Sequence, residues 1–197
     1  MSESHNRESY DAVVYLISCA LGGVTPSEEY LANKDIGMIC SLAVRHSVMA
    51  LVAHSLEKIG RAPAKAVERK NMAIRRVILF DVERERLLKI FESRGIRYLP
   101  LKGVLLKELY PSVGLREMAD NDILFDEAYR AEVRDIMVES GYEVENYGRF
   151  NHDVYVKEPF FNFEMHVALF SSYEAKAFCD YYKDLFESRL IRLEGTE

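Results

Sequence analysis

The sequence predicts an α+β protein: a helical N-terminal region over residues 1–94, followed over 95–197 by an α+β core in which strands and helices alternate. Three observations carry this. Apolar residues recur at helical spacing up to residue 94, the pattern shortens at Gly95, and beyond it strand-like and helix-like segments alternate.

In the first region, Val13, Leu16, Ile17 and Ala20 share one helical face between Ser9 and Leu21, and Gly22-Gly23 stops the helix. Thr25-Pro26-Ser27-Glu28 predicts an N-cap at Thr25 with proline at the first helical position, opening a short second helix. Ile36 to Ile59 carries Ile39, Leu42, Ala43, Met49, Leu51, Val52 and Leu56, the pattern of one buried helix or two, ended by Gly60. Pro63 to Arg94 predicts a long helix with Ala73, Ile74, Val77, Phe80, Leu87, Leu88 and Phe91 as its apolar stripe. Glu83, Arg84, Glu85 and Arg86 fall on its solvated side.

In the second region, Ile96 to Leu101 reads as a strand, followed by Lys102-Gly103 and a short helical stretch through Tyr110. Asn121 to Phe125 is a strand, Glu127 to Ser140 an amphipathic helix closed by Gly141, and Tyr142 to Tyr147 a further strand. His152 to Lys157 and Phe160 to Val167 form a hairpin across Glu158-Pro159. Ala175 to Glu187 is a closing helix, before a short apolar run at Leu190 to Leu193.

Composition narrows the function classes. With 197 residues, 49% hydrophobic and 29% charged, the chain has the profile of a soluble globular protein. A net charge of -6 supplies no overall positive field, which disfavours an extended nucleic-acid partner. Cys19, Cys40 and Cys179 show neither a disulfide framework nor zinc spacing, so a reducing cytoplasm is the natural compartment. Met1 to Tyr10 is polar, unlike a signal peptide, and Arg45, His46 and His54 interrupt the most apolar stretch, so no membrane span is expected.

The strongest chemical signal is Asp120-Asn121-Asp122. Residues i and i+2 of a strand point to one face, and two carboxylates so placed repel unless a cation neutralises them. A divalent metal is the simple explanation, and Mg2+ (or Mn2+) suits carboxylate and phosphate oxygens. Taken alone, the motif also suits a loop or a solvated strand edge. In Phe161-Asn162-Phe163-Glu164-Met165-His166, alternation turns the apolar residues to the core and sets Asn162, Glu164 and His166 on the other face. If that strand lies beside the Asp120-Asp122 strand, three carboxylates converge on a site for phosphoryl transfer. Lys102-Gly103, between a strand and a helix, offers an ammonium and free backbone N–H groups to phosphate. Arg116 is a second candidate for phosphate or leaving-group charge. His46 and His54, in an apolar helix, read as packed or surface residues, and Tyr147, Tyr155 and Phe160 as core or rim.

Leu99-Pro100-Leu101-Lys102-Gly103, Leu109-Tyr110-Pro111, Leu115-Arg116-Glu117-Met118-Ala119-Asp120-Asn121-Asp122-Ile123-Leu124 and Glu164-Met165-His166 together resemble the uncharacterised bacterial nucleotidyltransferase family of the polymerase-beta-type superfamily. The resemblance covers mainly residues 95–170, and Arg45-His46-Ser47-Val48 is similar to that family's N-terminal region. It implies a small mixed β-sheet flanked by helices, and transfer of a nucleoside monophosphate from a nucleoside triphosphate to an acceptor hydroxyl, with release of pyrophosphate. Asp120, Asp122 and Glu164 would be the metal ligands and catalytic carboxylates, with Lys102, Gly103 and Arg116 toward the nucleotide. His166 completes a Glu-x-His pattern and is left three roles: orienting a carboxylate, touching substrate, or structural. The acceptor can be a small molecule, a protein or a tRNA end. The wider superfamily carries Gly-Ser at the phosphate helix, whereas Gly103 is followed here by Val104. That departure keeps open a catalytically inactive nucleotide-binding or protein-interaction module.

Overall fold

The computed structural model describes residues 3–171, 176–183 and 185–188. The chain divides into two compact units, Met1–Val82 with Leu105–Met118, and Glu83–Val104 with Ala119–Glu197. The fold is α+β, with one five-stranded mixed sheet.

The first unit holds α1 (Glu3–Leu21), α2 (Glu28–Leu31), α3 (Ile36–Arg45), α4 (Met49–Glu57) and the N-terminal part of α5 (Ala64–Ser93). Ala12, Val13, Leu16, Leu31, Ile39, Leu42, Val52 and Leu56 make its core. The cap of α2 is Ser27 rather than Thr25: its Oγ accepts from the Tyr30 N–H at 3.2 Å, while its own N–H donates to Tyr15 Oη at 2.8 Å. Proline therefore precedes the cap instead of opening the helix. Ile36 to Ile59 forms two helices, broken where Ser47 takes a left-handed φ of 53°.

The N-cap of α4, Val48, has no side chain to offer its free N–H groups. Glu117 supplies the acceptor instead, its Oε1 lying 2.8 Å from the Ala50 N–H, where an anion also suits the helix dipole. The segment carrying Glu117 is seated by Leu115, buried against Ala20 and Leu51. Gly114 is required beside it: its φ is 80°, and an added Cβ would stand 2.6 Å from the Ile74 Cα.

The second unit holds the C-terminal part of α5, β1 (Tyr98–Pro100), β2 (Asn121–Phe125), α7 (Arg130–Glu139), β3 (Glu143–Asn146), β4 (His152–Lys157), β5 (Phe161–His166), α8 (Lys176–Tyr182) and α9 (Leu185–Ser188). Between β1 and β2 come α6 (Gly103–Leu106) and a 3-10 turn. The expected closing helix is thus α8 and α9, and the run Leu190 to Leu193 lies outside the described residues. The sheet order is β1-β2-β5-β4-β3; β2 and β5 are parallel and every other pair is antiparallel. Pro100, which has no N–H to give a ladder, sits on an edge strand. One sheet face packs Ile123, Phe125, Tyr155, Phe163 and Met165 against Leu87 and Phe91 of α5 and Val133, Ile136 and Met137 of α7.

Two residues expected on the solvated side of α5 are drawn inward. Arg84 is 8% exposed and donates to Asn121 Oδ1 at 3.1 Å, which lets a polar side chain occupy the core face of β2. Glu83 accepts from Arg86, Lys157 and the Tyr142 hydroxyl. The Arg86 hydrogen bonds above all, with Lys157 adding, overcome partial burial and pull its carboxyl down to about 2. Among the described residues, no helix is long and apolar enough to cross a membrane.

Candidate functional site

Because Ile123, Phe163, Met165 and Tyr155 face the core, strand alternation places Asp122, Glu164, His166 and His152 together on the opposite face. Asp122 and Glu164 are direct partners across the parallel β2–β5 pair. His152 and His166 are direct partners across β4–β5. Neighbouring strands are about 4.8 Å apart, so the two carboxylates project side by side. Asp120 stands half-buried, immediately ahead of β2.

Two nitrogen groups meet this acidic pair. Lys102 Nζ donates to Asp122 Oδ1 at 2.6 Å, and His166 Nε2 lies 2.9 Å from the same oxygen and 3.6 Å from Glu164 Oε2. Burial favours the protonated form of Asp122, but the hydrogen bonds and charges of His166 and Lys102 hold its carboxyl below the usual range. Partial burial likewise works against the Lys102 ammonium; the Asp122 hydrogen bond and the charges of Asp122, Glu164 and Asp120 prevail and raise its pKa.

Backbone geometry fixes Lys102 where it is. The Leu101 N–H donates to the Asp122 carbonyl at 2.9 Å, carrying the β1–β2 ladder up to the turn. Lys102 itself then takes a left-handed φ of 47°. A lysine there costs about 1 kcal/mol or more, and such strain collects at functional positions. The left-handed residue of the turn is thus Lys102, and Gly103 is the buried first residue of α6.

The structure therefore brings Lys102, Asp122, Glu164 and His166 together, with Asp120 adjoining. Arg116 belongs to the first unit, half-buried, and its Nε has no hydrogen-bond partner among the described residues. Tyr155 is fully buried and Tyr147 is 37% exposed, core and rim respectively. The residue sequence reasoning missed is His152. The hairpin across Glu158-Pro159 held the signal: a register that pairs Lys157 with Phe161 also pairs His152 with His166. One ligand atom from each of His152, Glu164 and His166 lies within 4.8 Å of the others. His152 Nδ1 is 3.3 Å from Asn151 Oδ1, and His166, 6% exposed, keeps a buried Nδ1 with no hydrogen-bond partner among the described residues.

These residues fit a divalent cation: two adjacent carboxylates, one buried and held ionised, with an unsatisfied imidazole nitrogen beside them. A mixed sheet with this group on one face defines an α+β protein whose carboxylates, imidazoles and one ammonium gather on a single sheet face. The chain belongs to a family of uncharacterised nucleotidyltransferases, whose sequence model matches residues 32–197. Membership makes it a transferase with a nucleoside triphosphate as its class of substrate. No curated protein and no solved structure matches the chain.

Proposed function

We propose that the protein transfers a nucleoside monophosphate from a nucleoside triphosphate to an acceptor hydroxyl. The hydroxyl oxygen attacks the α-phosphorus, the bond to the bridging oxygen breaks, and pyrophosphate leaves. Asp120, Asp122 and Glu164 would hold Mg2+ (or Mn2+), which when bound neutralises the triphosphate and the charge that develops during transfer. Glu164 would receive the acceptor's proton. Lys102 would exchange its hydrogen bond to Asp122 for one to phosphate, beside the Gly103 N–H. A net charge of -6 fits a small molecule, a protein or a tRNA end as acceptor better than a long polynucleotide.

The observation that carries this reading is the parallel register placing Asp122 beside Glu164. The experiment is a pyrophosphate-release assay with each nucleoside triphosphate, Mg2+ and an acceptor panel. Release by the wild type, lost in a folded Asp122→Asn variant, supports it. A second reading, an inactive nucleotide-binding or protein-interaction module, is favoured by Asp122 Oδ1 already meeting two nitrogen groups. It expects nucleotide binding, or neither binding nor turnover, and no pyrophosphate under any condition.

A further inference from the structure

We propose that His152, Glu164 and His166 bind a first-row transition-metal ion of the Zn2+ or Co2+ kind, at a nitrogen-rich site sharing Glu164 with the acidic pair. The inference stands on the sheet face alone and does not require nucleotidyl transfer.

The placement is set by the strands. His152 and His166 are paired across β4–β5, their ring centroids 5.0 Å apart and their planes tilted by 39°. Glu164 precedes His166 by one strand period; on the β4 side its partner is Val154, an apolar residue that does not compete as a ligand, and on the β2 side Asp122. A ring nitrogen from each histidine and a carboxylate oxygen lie within 4.8 Å of one another. Ligands about 2.0–2.2 Å from a tetrahedral ion stand about 3.4 Å apart, so rotamer adjustments of roughly an ångström close the site.

The donor set decides the ion. Two imidazoles and one carboxylate suit Zn2+, Co2+, Ni2+ or Fe2+, whereas Mg2+ takes oxygen and keeps its water. The partners around the rings match metal-bound histidines, which characteristically give their second nitrogen to a carboxylate or carbonyl. His166 has Asp122 at 2.9 Å, and His152 has the Asn151 amide oxygen at 3.3 Å. His166 also buries Nδ1 with no hydrogen-bond partner among the described residues, so protein groups alone leave this ring unsatisfied.

The test is titration of the full chain with Co2+, followed by its visible d–d absorption, with Zn2+ titrated calorimetrically and Mg2+ as competitor. The wild type is expected to take up one Co2+, displaced by Zn2+ and not by millimolar Mg2+. His152→Ala and His166→Ala should each weaken binding 100-fold or more; His152→Gln, which keeps the bulk of this half-exposed residue, should do the same, with folding checked by circular dichroism. Absence of Co2+ and Zn2+ binding by the wild type, unchanged binding in folded His152→Ala and His152→Gln, or equal displacement by Mg2+ would each overturn the proposal. The two readings fail separately. Co2+ uptake without pyrophosphate release leaves this metal site standing alone, and Mg2+-dependent release without Co2+ or Zn2+ uptake removes it while sparing nucleotidyl transfer.

Discussion

Asp122 and Asp153 are buried carboxylates on the same sheet, and they are held in opposite ways. Asp153, fully buried on the core face of β4, receives Arg130 Nε at 2.9 Å, Arg130 Nη2 at 2.6 Å and the Gly148 N–H at 2.7 Å, so both oxygens are engaged by one rigid fork and the backbone. Arg130 lies in turn over the Tyr147 ring. Asp122, on the other face, meets both its partners through Oδ1, and one of them is a lysine whose side chain is 60% exposed. The first carboxylate is saturated by groups that cannot leave without unfolding. The second is held by a flexible ammonium that water, phosphate or a metal can replace. Burial alone does not distinguish the two acids; the exposure of their partners does.

The sharpest way to break this contrast is to change each acid alone. Asp122→Asn should lower pyrophosphate release about a thousandfold, about 4 kcal/mol in the barrier. Its urea-unfolding free energy should change by less than about 1 kcal/mol, because Lys102 is solvated and the amide oxygen of Asn still meets the buried His166 ring. Asp153→Asn should do the reverse, costing about 3 kcal/mol in urea unfolding by breaking the two-pronged Arg130 pair of a fully buried carboxylate, with turnover per folded molecule unchanged. Two variants that both lose stability and both keep activity would erase the distinction.

Glu83 extends the comparison to pH. Its folded carboxyl lies at about 2 against an ordinary 4.5, so its stabilisation is fully present above about 4.5 and is lost as pH falls through about 2. The side chain is 13% exposed, and the contribution is on the order of 2 kcal/mol. Unfolding free energies measured between pH 7 and 2 should fall less steeply in Glu83→Gln than in the wild type. Parallel curves would show that the Arg86 and Lys157 contacts contribute no net stability.

Local pattern carried much of this fold, and most of its failures share one cause. Asn121 to Phe125 and His152 to Lys157 are strands with the expected ends, because alternation reports which side of a sheet each residue faces. The meeting of Asp122 with Glu164 was legible only as a condition on strand order, since periodicity says nothing about which strand is the neighbour. Glu117 capping a helix 67 residues earlier, Arg84 reaching Asn121 37 residues later, and Glu83 meeting Lys157 across 74 are partnerships between polar groups distant in sequence. A charged residue looks solvated in its own helix until the chain brings its partner. Ser27 was misread for a different reason: proline fits either just before a cap or just after it, and the Tyr15 hydroxyl makes Ser27 the anchored one.

The parallel join of β2 to β5 has a consequence for the order in which the molecule comes together. β3, β4 and β5 are consecutive antiparallel neighbours, whereas β5 reaches β2 only after α7, β3 and β4 have been traversed. Short-range pairings close before long-range ones, so the three-stranded meander forms early and its docking onto β2 comes late. Asp122 and Glu164 are strangers until that final step. A chain in which β2 has not yet docked keeps Asp122 apart from Glu164, and any ligand that bridges the two strands acts as a latch on the finished molecule, slowing hydrogen exchange at the β2 and β5 amides first.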